Sequence, residues 1–275
     1  MNEFLKIKHS FNAGDLIVLL PSFKYIYEKE GKKTVIYQRL NFGAFYYSGA
    51  TSPIKDYDGN MVCMNESVFN MLKPLIESQE YIESFEVWNG QKFDIDIDLT
   101  RDSKWCPMPA GLIHHYAWSL YPQLSCDLSK KWLNFKTDYG NEDYSRCLNF
   151  IDKIIINRTS RYTNPYISYF FLKKYLDIII FVGTDNEYED FNNEWQIEIP
   201  RLEINDFLEL GKILSVCKLF IGNQSMCWHI ADSLKIQRIL ELCPQFPNTF
   251  PMGANGYGFY RQEALEYYVN KLLNE

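Results

Sequence analysis

Two hydrophobic patterns alternate along the chain. Short continuous apolar runs read as strands buried on both faces. Longer stretches whose apolar residues recur every three or four positions read as helices packed on one side. Phe4–His9 opens as a strand, and from about Leu16 to Glu30 the residues Ile17, Leu20, Phe23, Ile26 and Tyr27 fall on one helical face, with Gly31 as the stop. Lys33–Gln38 is the next strand. Residues 41–62, rich in Gly, Ser, Tyr and Asp, predict a long loop, and loops of that length usually carry function. A helix is expected from about Asn65 to Gln79, kinked or split at Pro74. Strands are expected at Phe85–Trp88 and Phe93–Leu99. In the second of these, Asp94, Asp96 and Asp98 share one face, which could bind a cation; Asp98 or Asp102 is the carboxylate expected to line a site. "GLIHHYAWSLY" begins another helix, and Cys106–Gly111 is a break before it.

The stretch from Pro122 to about Asn149 lacks a clear period and includes Gly140-Asn141, so the domain boundary is placed there, dividing residues 1–148 from 149–275. Beyond it the alternation resumes. "KIIIN" is a buried strand, and "NPYISYFFLKKYL" a helix capped by Asn164 with Pro165 at its first position. "DIIIFVG" is a strand, "DNEYEDF" a short helix and "WQIEIP" a strand. "INDFLELGKILSVC" and "QSMCWHIADSLKI" are helices that flank the strand "KLFIGN". "RILEL" is a strand, Cys243–Gly258 a loop and Arg261–Leu273 a closing helix. Strand–helix alternation in both halves predicts an α/β protein of two Rossmann-like domains, with parallel sheets facing across a cleft.

Composition narrows the function. Of 275 residues, 47% are hydrophobic and 23% charged, and the net charge of −7 leaves no broad basic surface for nucleic-acid phosphates. Seven scattered cysteines without a C-x-x-C pair suggest neither a zinc ribbon nor a disulfide framework; reduced thiols in a cytoplasmic protein are the expectation. Neither a membrane-spanning run nor a signal-peptide core is expected. The motifs for dinucleotide, P-loop, serine-hydrolase and zinc-protease chemistry are absent, and no metal-ligand cluster stands out.

Four strand-to-helix turns carry candidate chemistry. In Asn12-Ala13-Gly14-Asp15, Gly14 would allow a tight turn and close approach to a ligand, and Asp15 would sit at a helix start; an ordinary N-cap is the plainer role. Arg158 and Arg161 follow a buried strand and precede the helix at Asn164, an arrangement suited to a diphosphate, or simply a solvated basic loop. Gly183 ends a strand, and Glu187 in the next first turn could accept bonds from ribose hydroxyls or stand exposed. Asn223, Gln224 and Ser225 link a buried strand to a helix and could meet an anion or cap that helix. His229, one turn further on, could serve the same site or packing.

In this order the four pieces resemble the heptosyltransferase family of GT-B glycosyltransferases (glycosyltransferase family 9). The similarity rests on "GDLIVLLP" (Gly14, Asp15, Leu20, Pro21), "FVGTDNE" (Gly183, Glu187) and "QSMCWHIA" (Ser225, His229, Ala231). The resemblance implies a nucleotide diphosphate sugar donor held mostly by the second domain, a hydroxyl acceptor approached from the first, no cofactor and no essential metal. It makes Asp15 the general base, Arg158 and Arg161 the partners of the leaving diphosphate, and Glu187 the ribose ligand. Gln224 and Ser225 would face the diphosphate or sugar. Gln224 replaces an acidic residue of the family, Met226-Cys227 a glycine–proline pair and Gln237 a proline; the phosphate-pairing lysine has no clear counterpart. The chain is short for the family. A sugar-nucleotide epimerase or hydrolase, or a non-catalytic nucleotide-binding module, are the alternatives.

Overall fold

The computed structural model describes residues 3–44, 53–101, 111–135 and 142–274. The middle of the 41–62 loop, Asp102, the Cys106–Ala110 part of the expected break and Gly140-Asn141 lie outside these residues. The chain divides into two compact units: Met1–Phe135 with Asp206–Leu208, and Lys136–Asn205 with Glu209–Glu275. The division falls before the expected boundary after residue 148, because α4 (Glu142–Leu148) belongs with the second unit.

The first unit contains β1 (Phe4–His9), α1 (Ala13–Glu30), β2 (Lys33–Gln38), α2 (Glu66–Glu77), β3 (Ile82–Val87), β4 (Ile95–Asp96) and α3 (Ile113–Leu120). Its strands are all parallel, in the order β3-β2-β1-β4. Helix α1 buries Leu16, Ile17, Leu20 and Phe23 completely. It ends where Gly31 takes a left-handed φ of 70° and donates its N–H to the Tyr27 carbonyl at 2.8 Å, a geometry that costs a residue with a Cβ. Helix α2 is continuous through Pro74, so the expected split does not occur. The expected strand over Phe93–Leu99 shortens to two residues. The Asp98 N–H donates to Asp96 Oδ1 at 3.1 Å, and the chain turns there into a 3-10 segment, Ile97–Arg101.

The second unit contributes α4, β5 (Ile154–Asn157), β6 (Ile179–Phe181), α5 (Asp185–Trp195), α6 (Phe207–Val216, apart from its first two residues, which group with the first unit), β7 (Leu219–Asn223), α7 (Met226–Leu234), β8 (Arg238–Glu241), β9 (Gly256–Phe259) and α8 (Gln262–Asn274). Its five strands are parallel, in the order β6-β5-β7-β8-β9. Ile154, Ile156, Leu219, Ile221, Ile239 and Phe259 pack on one face against Leu265, Val269 and Leu272 of α8. Phe220 meets Trp228 of α7, with ring centroids 6.4 Å apart. Because Ile155 pairs with Phe220 and side chains alternate, Ile155 shares the Phe220 face.

Three expectations fail in this unit. Asn164–Leu176 is not an α-helix; it holds one turn, with the Ile167 N–H on the Asn164 carbonyl at 3.2 Å, and then a 3-10 segment, Phe170–Tyr175. Asn164 Oδ1 accepts the Tyr166 N–H at 3.1 Å as a cap would, but Asn164 is buried, its own N–H is taken by Glu241 and its side-chain amide by the Tyr260 carbonyl, and no α-helix follows it. "WQIEIP" is not a strand: α5 extends through Trp195, Gln196 closes it at φ 51°, and only one bridge, Phe181 to Arg201, follows. The Cys243–Gly258 loop ends inside an additional strand, β9.

In both sheets the strand order reverses once, between β1 and β4 and between β5 and β7. In open α/β sheets, ligands lie beyond the carboxyl ends of the strands at such a reversal.

Candidate functional site

At the first reversal, Asn12 caps α1 and Asp15 is the third helical residue. Asp15 Oδ2 accepts from the Asn12 backbone N–H at 3.3 Å and from Asn12 Nδ2 at 3.2 Å. The carboxylate is therefore held over the first turn, where the helix dipole favours its ionised form. Gly14 lies within that turn and is not left-handed, so the tight-turn role expected of it is not used.

Beside this turn, Ser10 donates its hydroxyl to Asp98 Oδ2 at 2.6 Å. Lys8 Nζ lies 2.8 Å from Asp98 and 3.2 Å from Asp96. The Trp88 and Phe93 rings stand 5.1 and 5.5 Å from that nitrogen. Burial alone would lower the Lys8 pKa, but the Asp98 and Asp96 carboxylates outweigh it and raise the value. The cation gathered by these aspartates is thus Lys8, while Asp94 accepts the Lys6 backbone N–H at 2.9 Å. Nothing in the sequence pattern marked Ser10 or Lys8; only the parallel pairing of β1 with β4 brings them to Asp98.

At the second reversal, the ends of β5 and β7 come very close. A Cβ at Gly222 would lie 2.6 Å from the Asn157 carbonyl oxygen, so only glycine fits there. Asn223 is fully buried and spends its amide on the 158–161 loop. It accepts from the Thr159 N–H at 2.9 Å and donates to the Thr159 carbonyl at 2.9 Å and the Arg161 carbonyl at 2.6 Å. The Thr159 hydroxyl adds a bond to the Arg161 carbonyl at 3.0 Å. Asn223 therefore shapes the loop instead of presenting its amide to a ligand, which corrects the donor-binding expectation for this residue.

Arg158 is corrected as well. Its Nε donates to Glu241 Oε2 at 2.9 Å, its Nη2 to Glu241 Oε1 at 3.3 Å and its Nη1 to Glu194 Oε2 at 2.8 Å. The guanidinium also lies over Tyr169 and Trp195, 5.4 and 5.6 Å from their ring centroids. Burial opposes the charge, and Glu241 more than offsets it, so the pKa stands above the ordinary arginine value. A guanidinium enclosed in this way is not presented to a diphosphate, and the helix N-terminus expected beside it does not exist. Arg161 is half-buried, with its backbone fixed by the two bonds to its carbonyl.

Gly183 passes its carbonyl to Arg201, whose Nη2 donates at 3.0 Å, and Arg201 also pairs with Asp185. A Cβ at Gly183 would meet Phe181 at 2.7 Å and Glu187 at 2.9 Å. Glu187 forms a capping box: its Oε2 accepts from the Thr184 N–H at 3.0 Å, and its own N–H donates to Thr184 Oγ1 at 3.4 Å. Ser225 is the N-cap of α7, its hydroxyl accepting from the Trp228 N–H at 3.1 Å. Gln224 is buried just ahead of it, and buried His229 donates its backbone N–H to the Ser225 carbonyl at 3.1 Å. The Cys227 thiol is pushed far up by burial and, further, by the Glu187 carboxylate. β6, β5 and β7 pair in parallel as neighbours, so the turns after them lie at one edge of this sheet. Glu194 and Glu241 are the carboxylates around Arg158 that the sequence reading missed; Glu241 looked like the end of an ordinary strand.

Among the described residues, no helix is long and apolar enough to cross a membrane, and no group of three or more His, Cys, Asp or Glu side chains is placed to hold a metal ion.

No protein-family profile and no curated protein sequence matches the chain. Solved structures do. Escherichia coli ADP-heptose lps heptosyltransferase II is similar at a TM-score of 0.63 and 12% identity, covering 98% of either chain. A glycosyl transferase family 9 protein from Veillonella parvula gives 0.62 at 13% identity, covering 99% of this chain and 97% of that one. A Listeria monocytogenes protein provisionally assigned as a UDP-N-acetylglucosamine 2-epimerase gives 0.50 at 9% identity, covering 100% and 89%. The fold is therefore that of the GT-B heptosyltransferase structures, as the motif resemblance implied.

Proposed function

We propose that the chain is a glycosyltransferase that moves a sugar from a nucleoside diphosphate sugar to a hydroxyl acceptor. One observation carries this reading. The segments matching the family motifs all lie on strand-to-helix turns at the carboxyl ends of the two sheets, in a chain whose whole length has the fold of the heptosyltransferase structures.

Asp15 is the general base, receiving the proton of the acceptor hydroxyl as that oxygen attacks the anomeric carbon of the donor. The bond from that carbon to the diphosphate oxygen breaks, and direct displacement inverts the centre. Charge growing on the diphosphate is met by Arg161 and by the backbone N–H groups at the start of α7, without a metal. Glu187 receives ribose hydroxyls, and Gln224, Ser225 and His229 border the diphosphate and sugar.

A thermal-shift screen of nucleoside diphosphates, followed by assay of Asp15→Ala and Arg161→Ala, tests this. Asp15→Ala should retain nucleotide binding while turnover falls by about 10²–10⁴-fold, the usual worth of a general base. Arg161→Ala should weaken nucleotide binding. Parental turnover in Asp15→Ala removes the base assignment.

The similarity to the Listeria protein supports a second reading, an epimerase or hydrolase acting on the sugar nucleotide alone. Product analysis with donor and no acceptor distinguishes the two, and nucleotide binding without turnover would indicate a binding module.

A further inference from the structure

Glu241 closes β8, and its side chain has no exposure. Every hydrogen bond to its carboxylate comes from residues 158–169. Oε2 accepts from Arg158 Nε at 2.9 Å and from the Tyr169 hydroxyl at 2.8 Å. Oε1 accepts from Arg158 Nη2 at 3.3 Å and from the Asn164 N–H at 2.5 Å. From the adjacent strand β7, Asn223, equally buried, holds Thr159 and Arg161. Residues 158–164 form neither helix nor strand, yet two fully buried polar side chains on two strands fix their beginning, middle and end.

An ion pair this deep is a poor way to gain stability alone, because apolar residues of the same volume commonly do as well or better. What the pair supplies is a fixed start and end, at Arg158 and Asn164, for a loop whose middle Asn223 holds. We infer that Glu241 is a positioning residue. It holds the 158–164 loop, and with it Arg161, in the shape that receives the diphosphate of the ligand. The inference rests on the proposed function for the identity of that ligand, but the ordering of the loop does not depend on it.

Glu241→Gln keeps the shape and turns one of the two acceptor oxygens into a donor that faces donors. Leu272→Ala, in the core contact of α8, serves as a control of comparable destabilisation. Calorimetric titration with ADP, UDP and GDP, together with amide hydrogen exchange, is run on the parent and both variants. In Glu241→Gln, the affinity for whichever diphosphate the parent binds should fall at least about tenfold, and exchange over 158–164 should quicken; in Leu272→Ala neither should change. Should Glu241→Gln not fold, the pair Arg158→Met with Glu241→Gln removes both charges and is expected to fold with the same weakened binding. Parental affinity or unchanged loop exchange in a folded Glu241 variant overturns the inference. A parent that binds none of the three diphosphates counts against the proposed function instead, and the exchange measurement then decides the role of Glu241 by itself.

Discussion

Replacing Asn223 by Ala removes one side chain and takes a partner from three backbone groups. The Thr159 N–H and the Thr159 and Arg161 carbonyls lose bonds of 2.9, 2.9 and 2.6 Å, at a position with no solvent exposure. A buried polar group left without a partner costs about 1–3 kcal/mol. The Arg161 carbonyl keeps its bond from the Thr159 hydroxyl, so only the two Thr159 groups carry the full penalty. The expected loss is therefore roughly 3 kcal/mol, which lowers the melting temperature of a unit of this size by about 10 °C. Differential scanning calorimetry reads it directly, and the transition affected should be that of the second unit. Asn223→Asp makes a sharper contrast. It retains an acceptor for the Thr159 N–H but sets a carboxylate oxygen against two carbonyls, so it should do no better than Ala despite its matching shape. A shift under about 2 °C in Asn223→Ala would show that the loop finds other partners and that the three bonds do not fix it.

Two further outcomes are expected. Gly222→Ala should destabilise by about 1–3 kcal/mol, because its Cβ would sit 2.6 Å from a backbone oxygen that cannot move without breaking the β5–β7 pairing; chemical denaturation checks it. Burial pushes the Cys126 thiol up to about 11 and the Cys217 thiol up to about 12. These thiols keep their protons in the folded protein at a pH where the unfolded chain loses them, so stability should be full below pH ~8.5 and decline as pH rises toward 11 and 12. Alkylation at pH 8 should accordingly leave buried Cys217 unmodified until denaturant is added, while half-buried Cys126 reacts more slowly than a free thiol; rapid labelling of Cys217 in the native protein would contradict its burial.

The sequence pattern revealed much of the fold and less of the site, and particular residues show why. Strands such as Ile154–Asn157 and Leu219–Asn223 are short apolar runs with no competing helical period, so they read correctly. "NPYISYFFLKKYL" has the cap and the proline of a helix start and is not a helix; Glu241, 77 residues from Asn164, takes the Asn164 N–H, and the Tyr169 hydroxyl reaches the same carboxylate. Propensity describes a segment in isolation; a fully buried charge elsewhere in the chain overrides it. The same carboxylate explains the error over Arg158. Two arginines after a strand look alike in one dimension, and only the neighbouring strand end decides which one is enclosed. Ser225 and Glu187, by contrast, were legible as helix-start residues because capping is a local interaction, and both do cap.

The connection from β8 to β9 contains no helix, although parallel strands are ordinarily joined through one. In its place stands Arg238, wholly buried, which donates to the carbonyls of Met252 at 2.5 Å and Ala254 at 2.8 Å while Asp232 holds its Nε at 2.7 Å. Those anchor points are backbone oxygens, which any amino acid supplies. Side chains at 252 and 254 can therefore drift over evolutionary time without loosening the crossover. Positions 232, 238 and 256 cannot, the last because a methyl group there would strike the guanidinium at 2.8 Å.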